Sequence, residues 1–103
     1  MVRHVIIWKL KDEYSSGEKD GIRRGIREGL EGLQGKIPGL VKIRVLTEGL
    51  ASSTGDLMLD SLFEDGEALK AYSGNPLHVA VANGKVRPFT AVRSCFDFEE
   101  QGE

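Results

Sequence analysis

The nine residues Val2–Leu10 constrain this chain more than any other stretch. At the two-residue period of a strand, Val5 and Ile7 point to one side, and His4, Ile6, Trp8 and Leu10 to the other. Both sides are apolar near the middle. A strand of that kind needs cover on both faces. The chain has 103 residues, which reads as one domain over 1–103 with its core over about 2–99. A domain of this size buries about 60 to 70% of its unfolded surface. Its own helices can supply one cover. The second face then has to be closed by something outside the chain.

The rest of the pattern says what those helices are. Lys11 to Gly17 is polar and turn-like, with Ser15 or Ser16 as N-cap. Ile22, Ile26, Leu30 and Leu33 then fall on one helical stripe. Gly21, Gly25, Gly29 and Gly32 lie beside it, each costing a helix interior roughly 0.5 to 1 kcal/mol relative to alanine. They imply either close approach of the helix backbone to the sheet, room for a ligand, or a helix held by its apolar stripe alone. Gly35 to Gly39 ends the helix. Leu40 to Thr47 reads as a strand, with Val41, Ile43 and Val45 against Lys42 and Arg44. Glu48 to Gly55 is a loop. Asp56 to Phe63 is a third strand, apolar on both faces. Asp65 caps a second helix that runs to about Tyr72, breaks at Asn75-Pro76, and resumes to about Arg87, where Pro88 stops it. Ala91 to Phe98 is the last strand, and Glu99 to Glu103 are expected to fray. The order β-α-β-β-α-β predicts an α+β, ferredoxin-like fold: a four-stranded antiparallel sheet with helices on one face. Apolar residues left on the other face predict a homodimer through that sheet face.

The break itself carries chemistry. Proline pushes the residue before it out of the helical region while suiting a first helical turn. Asn75 therefore becomes the N-cap of the resumed helix, with His78 in its first turn and Tyr72 just before the kink. An imidazole near pH 6.5 suits general-base work. A phenol can hold a carbonyl oxygen as enolate charge develops. His4 shares the helix-facing side of the first strand with Ile6 and Trp8. Each of the three also has a plain structural role: a capping or satisfied histidine, or a tyrosine at the core edge with its hydroxyl in water.

Composition excludes several classes. Net charge is −2, with scattered lysines and arginines and no basic patch interleaved with aromatics, so nucleic acid is not an expected partner. No apolar run reaches the roughly 18 residues of a membrane span, and the first residues lack a signal peptide's apolar region. A cytoplasmic protein is expected. The single cysteine, Cys95, rules out an internal disulfide and reads as a buried, inert thiol. Two histidines and no ligand spacing predict no metal, and no phosphate-binding glycine motif is present, so no cofactor is expected.

Taken with this order, several segments resemble the stress-responsive α/β-barrel (Dabb) family of dimeric ferredoxin-like proteins. His4-Val5-Ile6-Ile7-Trp8-Lys9-Leu10-Lys11 looks like its opening strand, and Ile37-Pro38-Gly39-Leu40 like the turn before strand two. Asp56-Leu57-Met58-Leu59, then Phe63-Glu64 and Ala68-Leu69-Tyr72, resemble strand three and the helix after it. Asn75-Pro76-Leu77-His78 is similar to the family's proline-histidine break. The resemblance implies a homodimer whose sheets form a shared barrel, with a small cavity between each sheet and its helices. In a plant polyketide cyclase of the family, which closes its substrate by aldol chemistry without a cofactor, a strand histidine, a tyrosine before the break and a histidine after it line the pocket. The matching positions are His4, Tyr72 and His78. This chain departs from relatives with a histidine before the proline, having Asn75, and its first helix is glycine-rich where the cyclase has bulky aromatics.

The resulting expectation is a Dabb-domain protein that binds a small hydrophobic or carbonyl-bearing metabolite, with cofactor-free acid/base catalysis such as aldol cyclisation or isomerisation. His78, Tyr72 and His4 are its candidate catalytic residues, and Ile6, Trp8 and Leu59 its candidate substrate-binding residues. A non-catalytic, stress-related oligomeric protein and a cofactor-independent monooxygenase are the alternatives.

Overall fold

The computed structural model describes residues 1–101 and follows the expected order. Strands β1 (Val2–Leu10), β2 (Leu40–Leu46), β3 (Leu57–Phe63) and β4 (Thr90–Glu99) form one antiparallel sheet in the order β2-β3-β1-β4. Helix α1 (Ser16–Glu31) links β1 to β2. Helices α2 (Gly66–Gly74) and α3 (Pro76–Val81), a π turn (Ala82–Val86) and a 3-10 turn (Arg87–Phe89) link β3 to β4. No helix among the described residues is long and apolar enough to cross a membrane.

The core lies between helices and sheet. Ile6, Trp8 and Leu10 of β1, Leu57, Leu59 and Phe63 of β3, and Ile26 and Leu30 of α1 are buried there. Ser15 caps α1 through a capping box with Glu18, and Asp65 caps α2 by accepting from the Ala68 amide at 2.8 Å. The outer edge of β2 is satisfied by side chains at and beyond the α1 C-terminus. Glu31 accepts from the Val45 amide, while Gln34 accepts from Ile43 and donates to the Val41 carbonyl. That pairing blunts an otherwise open strand edge.

Five local expectations are corrected. Helix α1 stops at Glu31, so Leu33 packs from a run of turns rather than from the helix. Val41 is half-buried, because the register shifts between Leu40 and Lys42 and Leu40 takes the inward position. Regular α-helix ends at Val81, though the chain stays helical through a π turn to Val86, near the expected end, and Pro88 sits inside the 3-10 turn instead of terminating a helix. Glu99 is in β4, and the Glu100 amide donates to the Met1 carbonyl, so the fraying expected from Glu99 fails up to there. The part of that expectation concerning residues 102 and 103 lies outside the described residues. Cys95 is exposed, because β4 is an edge strand that the helices do not cover.

The glycines of α1 divide. A Cβ at Gly29 would stand 2.9 Å from Val81 Cγ1 and 3.0 Å from Lys85 Cδ. The close approach there is to α3 and the π turn, not to the sheet. Gly21 and Gly25 face open space along a hollow of about 450 Å³ lined also by Tyr14, Lys85 and Phe89.

The face away from the helices keeps its apolar groups. Ile7 is 43%, Val92 53% and Phe96 70% exposed. Among them sits one charge cluster. Asp60 accepts from Arg3 Nη1 at 2.6 Å and from Arg44 Nε at 3.0 Å. Partial burial alone would raise the Asp60 carboxyl, but the two guanidiniums outweigh it and hold the group below its usual range.

Candidate functional site

Two segments meet at one end of the helix–sheet gap. On β1, His4 follows the alternation that also buries Ile6 and Trp8. Opposite it, the Asn75-Pro76 break turns the chain. Asn75 has extended backbone (φ −65°, ψ 128°), its side chain accepts from the Leu77 amide at 2.9 Å, and proline opens α3. The kink leaves Tyr72 on the last turn of α2 and His78 on the first turn of α3, with their rings stacked at a centroid distance of 4.0 Å. The His4 ring lies edge-on to Tyr72 at 6.3 Å and to Phe63 at 6.2 Å.

These rings border a cavity of about 100 Å³. His4, Tyr72 and His78 all line it, and so do Ile6, Trp8 and Leu59. All six sequence-predicted positions therefore converge on one small space. Two hollows are larger. One, of about 410 Å³, lies between the Glu48–Gly55 loop and the open end of the sheet near Ile7 and Met58. The other is the groove along α1. Size does not decide between the three, because the chemistry is concentrated in the smallest. Among the described residues, two buried side-chain polar atoms lack a hydrogen-bond partner: the Tyr72 hydroxyl and His78 Nδ1. Both belong to this cavity.

The electrostatics follow from burial. Tyr72 is 2% exposed, and burial pushes its phenol well above the ordinary tyrosine value, so it is a neutral donor at any physiological pH. Burial likewise lowers the His78 imidazole. The Ser73 carbonyl opposes this in part, although no hydrogen bond of ordinary geometry reaches Nδ1, and the Arg87 guanidinium adds to the lowering. His78 is thus a neutral imidazole able to accept a proton at neutral pH.

His4 is held differently. Its Nδ1 lies 2.5 Å from Asp97 Oδ1, and its backbone carbonyl accepts from the buried Ser61 hydroxyl at 2.8 Å. With Asp97 accepting, Nδ1 carries the proton of that bond, which fixes the orientation of the ring and of Nε2. Asp97 was absent from the sequence-derived set. Its signal lay in strand register: Asp97 stands directly opposite His4 in the β1–β4 pairing. Arg87 and Arg93, which also line the cavity, were likewise missed, since they arrive from the 3-10 turn and from β4.

One cluster has the donor types of a metal site. His4 Nδ1, Cys95 Sγ and Asp97 Oδ1 lie within 4.8 Å of one another. Two ligands at about 2.0 to 2.1 Å from a tetrahedral ion stand about 3.3 Å apart, whereas the nitrogen and oxygen here are at hydrogen-bond distance. Burial and the Asp97 carboxylate push the Cys95 thiol up, away from the thiolate a metal needs. The set fits a hydrogen-bonded dyad with a bystander thiol.

No curated protein matches the chain. Solved structures do. A dimeric protein of unknown function with a ferredoxin-like fold from Bacteroides fragilis is 29% identical, with a TM-score of 0.88 over 96% of this chain and 95% of its own. The Passiflora edulis hydroxynitrile lyase is 16% identical, with a TM-score of 0.71 over 99% of this chain and 96% of its own. A putative antibiotic biosynthesis monooxygenase from Nitrosomonas europaea is 12% identical, with a TM-score of 0.73 over 97% and 98%. At such identities the last two show the fold alone. The stress responsive A/B barrel domain matches residues 2–100, nearly the whole chain, and the protein belongs to that family, Dabb.

Proposed function

We propose that the cavity binds a small carbonyl-bearing metabolite and removes a proton beside the carbonyl without a cofactor, as an aldol cyclisation or an isomerisation requires. The carrying observation is the pair of buried, unpartnered polar atoms on one wall, Tyr72 Oη and His78 Nδ1. A buried polar group left unsatisfied costs about 1 to 3 kcal/mol, and a ligand that supplies both partners relieves that cost on binding. In this reading the Tyr72 phenol donates to the carbonyl oxygen, which lowers the energy of the enolate. The neutral His78 imidazole takes the α-proton. His4, fixed by Asp97, offers a further polar contact to an oxygen of the ligand. Ile6, Trp8 and Leu59 supply the apolar wall that excludes water.

The same reading has a second copy covering the open sheet face. Ile7, Val92 and Phe96 form an apolar patch there of the kind that marks an interface, and the Bacteroides fragilis protein is described as dimeric.

The test is solvent-deuterium exchange at the central carbon of pentane-2,4-dione, followed by NMR and corrected for buffer exchange. Wild type accelerates it. His78→Ala removes about 10²-fold of that acceleration, and Tyr72→Phe about tenfold or more. Acceleration unchanged in both variants refutes the catalytic reading. Binding without any acceleration leaves a metabolite-binding protein.

A further inference from the structure

The lining of this cavity also carries two guanidiniums with no carboxylate within 4.0 Å among the described residues. Of the seven arginines, Arg3, Arg23, Arg27 and Arg44 each lie within 4.0 Å of a carboxylate. Arg24, Arg87 and Arg93 have no such partner among the described residues. Arg24 belongs to α1 and does not line the cavity; Arg87 and Arg93 both do, with Thr90 between them in the sequence. Arg87 is held by a bond from Nη1 to the Asn83 side chain, a neutral partner that leaves its charge uncompensated. Arg93 stands opposite Trp8 in the sheet, so its backbone is fixed by the strand pairing. Tyr72 and His78 are neutral, and the carboxylate beside the cavity, Asp97, is bonded to His4 rather than to either arginine.

We infer that the ligand of this site is an anionic carbonyl compound, a short keto acid whose carboxylate is taken by Arg87 and Arg93 while its carbonyl end enters toward Tyr72 and His78. This rests on the ligand reading above and adds the substrate class. Two guanidinium forks match a carboxylate, and charge-assisted bonds of this kind are about twice as strong as neutral ones. The cavity, about 100 Å³, limits the ligand to a short acid, and Arg87 and Arg93 line the same space as Tyr72 and His78.

The experiment compares acetoacetate with acetoacetamide, which has nearly the same shape and no charge, by NMR titration of the full-length protein at neutral pH. Acetoacetate is expected to bind about tenfold or more tightly than the amide, with an advantage that shrinks as salt rises. Arg87→Gln and Arg93→Gln each weaken acetoacetate about tenfold and leave the amide unchanged. Arg24→Gln, which alters an unpaired arginine away from the cavity, changes neither. If the amide binds as tightly as the acid, or the Arg87 and Arg93 variants bind acetoacetate like wild type, the anion inference falls while the ligand reading stands. If neither probe binds wild type, both fall.

Discussion

Replacing Tyr72 by phenylalanine separates stability from function at a single atom. The ring is packed against Phe63 at 4.9 Å and His78 at 4.0 Å, and only 2% of the residue is exposed. Tyr72→Phe keeps those contacts and removes an oxygen that has no hydrogen-bond partner. Desolvating such a hydroxyl without a partner costs about 1 to 3 kcal/mol. The adjoining cavity has room for roughly three waters, and one water beside the hydroxyl recovers part of the loss. The expected net effect is therefore a gain of about 1 kcal/mol in the free protein, or about 4 °C in Tm for a chain of this length. Urea unfolding at fixed protein concentration measures it, since the concentration of a dimer alters its apparent stability. The same variant loses the acceleration of α-proton exchange. Gaining stability while losing function is the signature of a polar group held ready for a ligand. A loss of more than about 1 kcal/mol refutes the reasoning, because the hydroxyl would then be satisfied in the free protein and would have no need of a ligand.

Four further outcomes follow from particular contacts. Gly25→Ala adds a methyl where nothing lies within 4 Å and stabilises by about 0.5 to 1 kcal/mol, whereas Gly29→Ala drives a Cβ against Val81 and Lys85 and destabilises by about 1 to 3 kcal/mol; urea midpoints distinguish the two. His78 has a folded-state pKa below its unfolded value, so its contribution to stability is complete above about pH 6.5 and is lost as the pH falls through the lower folded value; urea midpoints at pH 7.5 and 5.5 should converge in His78→Gln. The exchange reaction, which needs the neutral ring, should hold its rate to a lower pH than a free imidazole would, as a pH–rate profile measures. Phe96→Glu places a charge at the most exposed aromatic of the sheet face; the proposed dimer through that face predicts that wild type sediments as a dimer and the variant as a monomer, with the fold retained by circular dichroism.

The sequence carried the architecture because periodicity is local. The alternation of Val2–Leu10 placed His4, Ile6 and Trp8 on one face, and Asn75-Pro76 set the kink that brings Tyr72 against His78; both need only neighbours within a few residues. Most of the missed features depend on long-range register. Asp97 joins His4 across 93 positions of sequence, and no local pattern fixes which residue of β4 faces which residue of β1. Arg93 reaches the cavity by the same register; Arg87 is the exception, carried there by the 3-10 turn after a π turn that no periodicity announces. Cys95 looked buried because its strand is apolar, but an edge strand lying beyond the helices leaves it in solvent. The bulge at Val41 escaped for a similar reason, since a strand's own alternation does not reveal an extra residue in its pairing.

In the proposed function the smallest hollow, not either of the larger ones, is where this protein meets its ligand. Chemical-shift mapping with pentane-2,4-dione on isotope-labelled protein tests that most directly. Saturable shifts centred on His4, Tyr72, Ser73 and His78 are expected, with their loss in Tyr72→Phe. Shifts confined to the Gly21–Gly25 groove, or to the Glu48–Gly55 loop beside the open end of the sheet, would contradict it.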